Sequence, residues 1–110
     1  MGMTVRRDVF QAIADPTRRA MLALLLGGPR TVGALAEQFD VTRQAVSLHA
    51  QLLEECDVIQ ISKHGRERVC ALKPASLAHV SEWLEPFVKL WETRLDQLDE
   101  LLTRQTDEEL

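Results

Sequence analysis

T-V-G-A-L-A-E-Q-F-D-V-T-R-Q-A-V-S-L-H-A-Q-L-L-E-E-C-D-V-I-Q-I-S-K-H-G-R-E-R-V-C-A-L, residues Thr31 to Leu72, is the stretch that decides the fold. It opens with two short amphipathic helices joined by a tight turn, Phe39-Asp40-Val41. Thr31 and Thr42 are placed as N-caps, because a threonine oxygen accepts a backbone amide of the first helical turn. Over residues 32–38 the apolar positions are Val32, Leu35 and Ala36, with Phe39 following. Over residues 43–56, helical spacing puts Ala45, Val46, His49, Ala50 and Leu53 on one face and Arg43, Gln44, Ser47, Leu48 and Gln51 on the other. Two alternating segments follow, Val58, Ile59 and Ile61, then Val69, Ala71 and Leu72. Between them a turn is predicted over Lys63 to Arg66, with Gly65 free to take positive φ. The expected fold is mostly α with a small β-hairpin, a winged helix-turn-helix with helix-turn-helix at 31–56 and wing at 58–72. The second helix of such a unit enters the major groove of DNA, and the hairpin reaches the neighbouring backbone.

Working outward, Val5 to Ala14 reads as a helix with Val5, Val9, Phe10 and Ile13 on one side. Asp15-Pro16 starts the next, with Asp as N-cap and Pro at the first helical position. That helix runs from Pro16 to Leu26, places Leu22, Leu25 and Leu26 on an apolar face, and ends at Gly27-Gly28-Pro29. At the other end Pro74 closes the second strand and a helical region begins near Ala75, extending over about 75–104. Leu84, Val88, Trp91, Leu95, Leu98 and Leu102 are spaced alternately by four and three, the seam that packs one helix against another. Pro86 interrupts this helix and is expected to kink or break it.

The chain of 110 residues suggests one domain, and 45% hydrophobic with 27% charged residues suits a soluble protein with a core. The longest apolar run, Ala20 to Leu26, is far short of the roughly 20 residues a membrane span needs. No signal-peptide cleavage pattern follows it, and Arg6 breaks the myristoylation pattern. With two cysteines, Cys56 and Cys70, in no paired motif, a reducing, cytoplasmic setting is expected. Net charge is −4 and unevenly spread: +3 over residues 1–30, −4 over 31–59, +3 over 60–73 and −6 over 74–110. A basic hairpin on an acidic body is compatible with a DNA-attracting face.

Arg, Gln and Ser near a helix N-terminus are the types that hydrogen-bond base edges and phosphates. The expected DNA contacts on the second helix are therefore Thr42, Arg43, Gln44, Ser47, Leu48, His49 and Gln51. The wing adds Lys63, His64, Arg66 and Arg68, which would bring affinity through phosphates, while Glu67 falls on the opposite strand face. For any single residue a solvated polar face explains the pattern equally well; for the whole unit with its hairpin, double-stranded DNA is the better partner. Enzyme chemistry lacks its parts: there is no Gly-rich phosphate loop, nucleophile elbow or metal-hydrolase motif. The competing reading is a protein-interaction module, in which Trp83, Phe87 and Trp91 on the acidic last helix dock a partner.

The segments F-Q-A-I-A-D-P-T-R-R-A-M-L-A-L-L (Phe10 to Leu25) and T-V-G-A-L-A-E-Q-F-D-V-T-R-Q-A-V-S-L-H (Thr31 to His49) strongly resemble the ArsR/SmtB family of winged-helix transcriptional regulators. The likeness continues through the wing to W-E-T-R-L-D-Q-L, Trp91 to Leu98. It implies a homodimer formed through the first and last helices, with Val9 and Phe10 joining the Leu84–Leu102 seam. It also implies repression, usually relieved by an effector, here unidentified, and the dimer's symmetry favours a palindromic operator. Leu48 stands where the family commonly has a basic residue, Ala50 where Leu is common, and Asp57 where Gly ends the helix. Many relatives sense metals. The family's thiolate site lies in the helix that here reads Leu35-Ala36-Glu37-Gln38, without Cys or His. The site on the final helix retains Asp96, Asp99 and Glu100 but no His after His79. Zinc and soft metals want imidazole and thiolate, so no metal site and no cofactor are expected. Cys56 and Cys70 are read as structural rather than as a thiol switch.

Overall fold

The computed structural model describes residues 8–109. Its elements are α1 (Val9–Ala12), α2 (Pro16–Leu25), β1 (Arg30–Thr31), α3 (Val32–Ala36), α4 (Arg43–Glu55), β2 (Ile59–His64), β3 (Glu67–Leu72), a 3-10 turn (Pro74–Leu77) and α5 (Ala78–Glu109). The fold is the expected winged helix-turn-helix.

Each short helix begins on a side-chain cap. Asp8, Asp15, Thr31 and Thr42 accept the amides of Gln11, Arg18, Ala34 and Ala45, each at 3.0 Å. Caps of this kind stabilise a helix by about 1 kcal/mol, which matters most where a helix has only one or two turns. The described part of the first helix is short. Gln11 and Ala12 are followed by a turn at Ile13-Ala14, and the expected start at Val5 lies outside the described residues.

The core is formed by Val9, Ala12, Met21, Leu22, Leu25, Val32, Leu35, Val46, Ala50, Leu53, Cys56, Val58, Ile59 and Cys70, so every helix up to α4 and the sheet meet there. Leu35 and Leu53 are fully enclosed. Burial of each contributes roughly 1.5–3 kcal/mol. Two expectations from the second helix need correction. α2 ends at Leu25, and Leu26, expected on the apolar face, is 77% exposed. Met21, fully buried, takes the place beside Leu22 and Leu25 instead. Leu26 keeps helical dihedrals, but the buried face is made by Arg18, Met21, Leu22 and Leu25, and Leu26 falls beyond its edge.

The wing is a three-stranded antiparallel sheet in the order β1-β3-β2, rather than a two-stranded hairpin. β1 pairs Arg30 with Cys70 and Thr31 with Val69. Two residues of strand are too few to carry a periodicity that could announce them. The β2–β3 turn is tighter than predicted. Lys63 pairs with Arg68 and His64 with Glu67, which leaves only Gly65 and Arg66 in the loop. Gly65 has φ +64°, the conformation a two-residue hairpin turn demands.

Asp57 takes the left-handed conformation after α4, with φ +63°. Its carboxylate receives Lys73 Nζ at 2.5 Å and its carbonyl accepts Ser76 Oγ at 3.0 Å. Lys73 N also donates to Val58 O at 2.8 Å. These bonds join the end of α4 to the end of the sheet.

The chain divides into two compact units, one up to Val80 and one from Ser81 onward. The second consists of α5 alone. α5 runs unbroken through Pro86, so the break is not realised, although proline removes one backbone bond of the ladder. Leu84, Val88, Trp91, Leu95, Leu98 and Leu102 are 40–63% exposed, and Trp83, Phe87, Leu90 and Leu101 widen the apolar face beyond the single seam. Among the described residues no helix is long and apolar enough to cross a membrane.

Candidate nucleic-acid interface

α4 presents the residues expected of a reading helix. Val46, Ala50 and Leu53 are buried, while Arg43, Gln44, Leu48 and Gln51 are exposed and Ser47 is half-buried. Thr42 accepts the Ala45 amide as N-cap, so what its hydroxyl can offer a duplex is its hydrogen.

The wing folds back onto this helix. Arg68 NH1 donates to Ser47 Oγ at 3.4 Å. Val32, Arg43, Gln44, Ser47, Arg66 and Arg68 line one groove of about 300 Å³. Three guanidinium groups around one concavity, next to a helix N-terminus, form an environment suited to a phosphodiester. Arg66 was expected to share a strand face with Arg68. It lies in the turn, yet both reach this groove. Lys63 and His64 are exposed on β2, and His64 Nε2 is 3.2 Å from Ser62 Oγ.

His49 lies on the packing face that helical spacing gives it. It is half-buried, and its Nδ1 lies 3.3 Å from Arg18 NH1. A guanidinium only donates, so Nδ1 is the acceptor and the ring proton sits on Nε2. The ring is therefore turned toward α2 and held there, away from the outward face of α4.

Arg18, which spacing and composition did not single out, is the reason. It is 8% exposed, and its Nε and NH2 donate to Ala12 O and Gln11 O, each at 2.9 Å. Arg19 NH1 donates to Ile13 O at 2.8 Å and Arg30 Nε to Leu24 O at 3.2 Å. These three arginines satisfy carbonyls at helix ends, which favour cations. Arg18, Arg19 and Arg30 thus serve the fold, while Arg43, Arg66 and Arg68 line the open groove. The sequence signal for Arg18 is the D-P-T-R-R element itself, whose Asp15 caps α2 while its arginines close α1. The Arg18 amide hydrogen bond is the main cause holding the Asp15 carboxyl below its ordinary value.

Cys56 and Cys70 are both buried, and burial raises the Cys70 thiol above its ordinary value, with Glu54 adding to the shift and Arg68 opposing it. Among the described residues no group of three or more His, Cys, Asp and Glu side chains is placed to hold a metal ion.

Residues 13–60 match a helix-turn-helix domain model. The chain is 36% identical over 81 residues to the transcriptional repressor SdpR of Bacillus subtilis, covering 74% of this chain and 90% of that protein. It is 35% identical over 99 residues to the HTH-type transcriptional regulator Rv2034 of Mycobacterium tuberculosis, covering 90% of each. Among solved structures it matches an ArsR family transcriptional regulator, RHA00566, at 43% identity and a TM-score of 0.67, over 76% of this chain and 86% of that one. The chain belongs to the ArsR family of transcriptional regulators. As an ArsR-family protein it is a DNA-binding regulator. Leu48 is an outward, 67% exposed side chain.

Proposed function

We propose that this ArsR-family chain is a cytoplasmic homodimeric repressor that reads a palindromic operator in double-stranded DNA. Arg43 and Gln44 reach base edges in the major groove, while Arg66 and Arg68 hold the backbone beside it. The observation that carries this reading is the arginine-lined groove between the N-terminal half of α4 and the wing. Repression is supported by the 36% identical relative, itself named a repressor. Dimerisation is supported by the wide apolar face of α5, whose large side chains stand 40–63% exposed. A face of that size on a small protein marks an interaction surface, and a two-fold interface would set two α4 helices about one DNA turn apart.

Of the pair expected from α1, Val9 is 4% exposed within the core and Phe10 is 41% exposed, so Phe10 is the residue with surface to offer a partner. Selecting duplexes from a random pool with the wild-type protein tests the proposal. Recovery of an inverted repeat with half-sites spaced by one turn supports it. Recovery of no sequence, with capture of a protein partner through α5, favours the protein-interaction reading.

A further inference from the structure

Ser47, Gln51 and Glu54 are spaced by four and three along α4, so they stand on one side of the helix. That side faces the wing. Ser47 Oγ accepts from Arg68 NH1 at 3.4 Å, and Glu54 Oε2 accepts from the Ile61 amide at 2.8 Å. Gln51, Glu54, Ile61, Ser62, Lys63 and Arg68 line a second groove, of about 370 Å³, along this junction. β2 is an edge strand, so an outward amide such as that of Ile61 has no neighbouring strand to meet. Glu54 supplies its acceptor, and a carboxylate makes the bond charge-assisted.

We propose that Glu54 is a positioning residue for DNA recognition: it fixes the edge strand of the wing to the recognition helix, so that the reading residues and the wing arginines engage one duplex in one register. This rests on the DNA-binding reading. The two attachments differ in kind. The Arg68–Ser47 bond is long and uses a guanidinium that also lines the arginine groove, so a phosphate competes for it. The Glu54–Ile61 bond is short and uses a backbone amide, so it persists when DNA arrives. Residues 47 and 54 lie about 10 Å apart along the helix axis, and two attachments at that separation fix the direction of the strand as well as its position. A carboxylate beside Lys63 and Arg68 works against phosphate affinity, which leaves the strand amide as its use on this face.

Two variants separate reach from charge. Glu54→Gln keeps an oxygen at the same reach and removes the charge. Glu54→Asp keeps the charge and withdraws the oxygen by one methylene. The assay is affinity for a duplex selected by the wild type and for its scrambled counterpart, together with hydrogen exchange at the Ile61 amide. Glu54→Asp is expected to lower the selected-to-scrambled preference by about tenfold, comparable to one mismatched base pair, while Glu54→Gln stays within about twofold of wild type. Ile61 exchange is expected to accelerate in Glu54→Asp alone. The proposal is overturned if Glu54→Asp matches wild type while Glu54→Gln tightens binding to both duplexes, because Glu54 would then act only as a repelling charge. It is also overturned if both variants keep wild-type preference and Ile61 protection. A wild type that selects no duplex overturns the DNA reading itself, a separate result.

Discussion

At the scale of the residue, Arg18 carries the most structural weight for its size. It closes two carbonyls at the end of α1 and holds His49 of the recognition helix. Arg18→Ala is expected to destabilise the chain by about 2–4 kcal/mol, since it strips partners from a buried network. Arg18→Lys should recover only part of this, because one ammonium cannot span both carbonyls and the imidazole. Thermal or urea unfolding of the two variants checks both statements. The buried cysteines lead to a second expectation. Cys56 and Cys70 should resist a thiol reagent in the native protein and label promptly in guanidinium, and mild peroxide should leave operator affinity unchanged. Peroxide release of the wild type, absent in a Cys56→Ser, Cys70→Ser double variant, would sink the structural assignment. Asp57 supplies a third. Lys73 beside it is the main cause lowering its carboxyl below the ordinary value of 3.8. Such a group contributes stability that is present above its ordinary value and is lost as pH falls through the lower native one. Asp57→Gly relieves the positive φ and removes the carboxylate. Its melting temperature is expected to gain on that of wild type as pH falls below 3.8, where the ion pair's contribution is being lost.

At the scale of the element, recognition helix and wing should do different work. Gln44 is exposed near the start of α4, and Gln44→Ala is expected to relax preference at particular base pairs, at roughly 1–3 kcal/mol for a bidentate contact. Arg66→Ala or Arg68→Ala should weaken selected and scrambled DNA alike and reduce the salt slope by about one phosphate contact. A salt series on both duplexes decides. Wing variants that lose only the selected duplex, with Gln44→Ala losing both equally, would reverse the assignment. Much of this element pattern is legible in the sequence. The caps at Thr31 and Thr42, the outward face of α4 and the glycine at the hairpin turn are all local requirements. β1 and the tighter turn were not legible, since strand pairing depends on which segments meet rather than on either one's pattern.

At the scale of the whole molecule, the proposed dimer rests on the exposed apolar face of α5. A protein of chain mass 12.5 kDa is expected to scatter light as a species of twice that mass at micromolar concentration. Replacing Trp91 and Leu95 together by Glu should return the monomer mass and weaken operator binding steeply, because each half-site alone provides half the contacts. The apolar face is wider than a two-stranded seam. Trp83 and Phe87 stand with ring centroids 4.9 Å apart beside the Leu84–Leu102 row. A stripe of that width suits contact with more than one neighbouring helix.

The amino-acid sequence determined the helices, their caps, the hairpin, the outward face of α4 and the heptad on α5. These follow from spacing, capping chemistry and backbone preference, which act over a few residues. The tertiary structure alone decided that Arg18, Arg19 and Arg30 donate to carbonyls at helix ends, and that Arg18 is the group His49 meets. It decided equally that Leu26 stays in solvent and that Glu54 meets the edge strand. Each of these depends on a carbonyl, amide or apolar surface brought from elsewhere in the chain. A side chain's sequence neighbours carry no record of which distant group will need it.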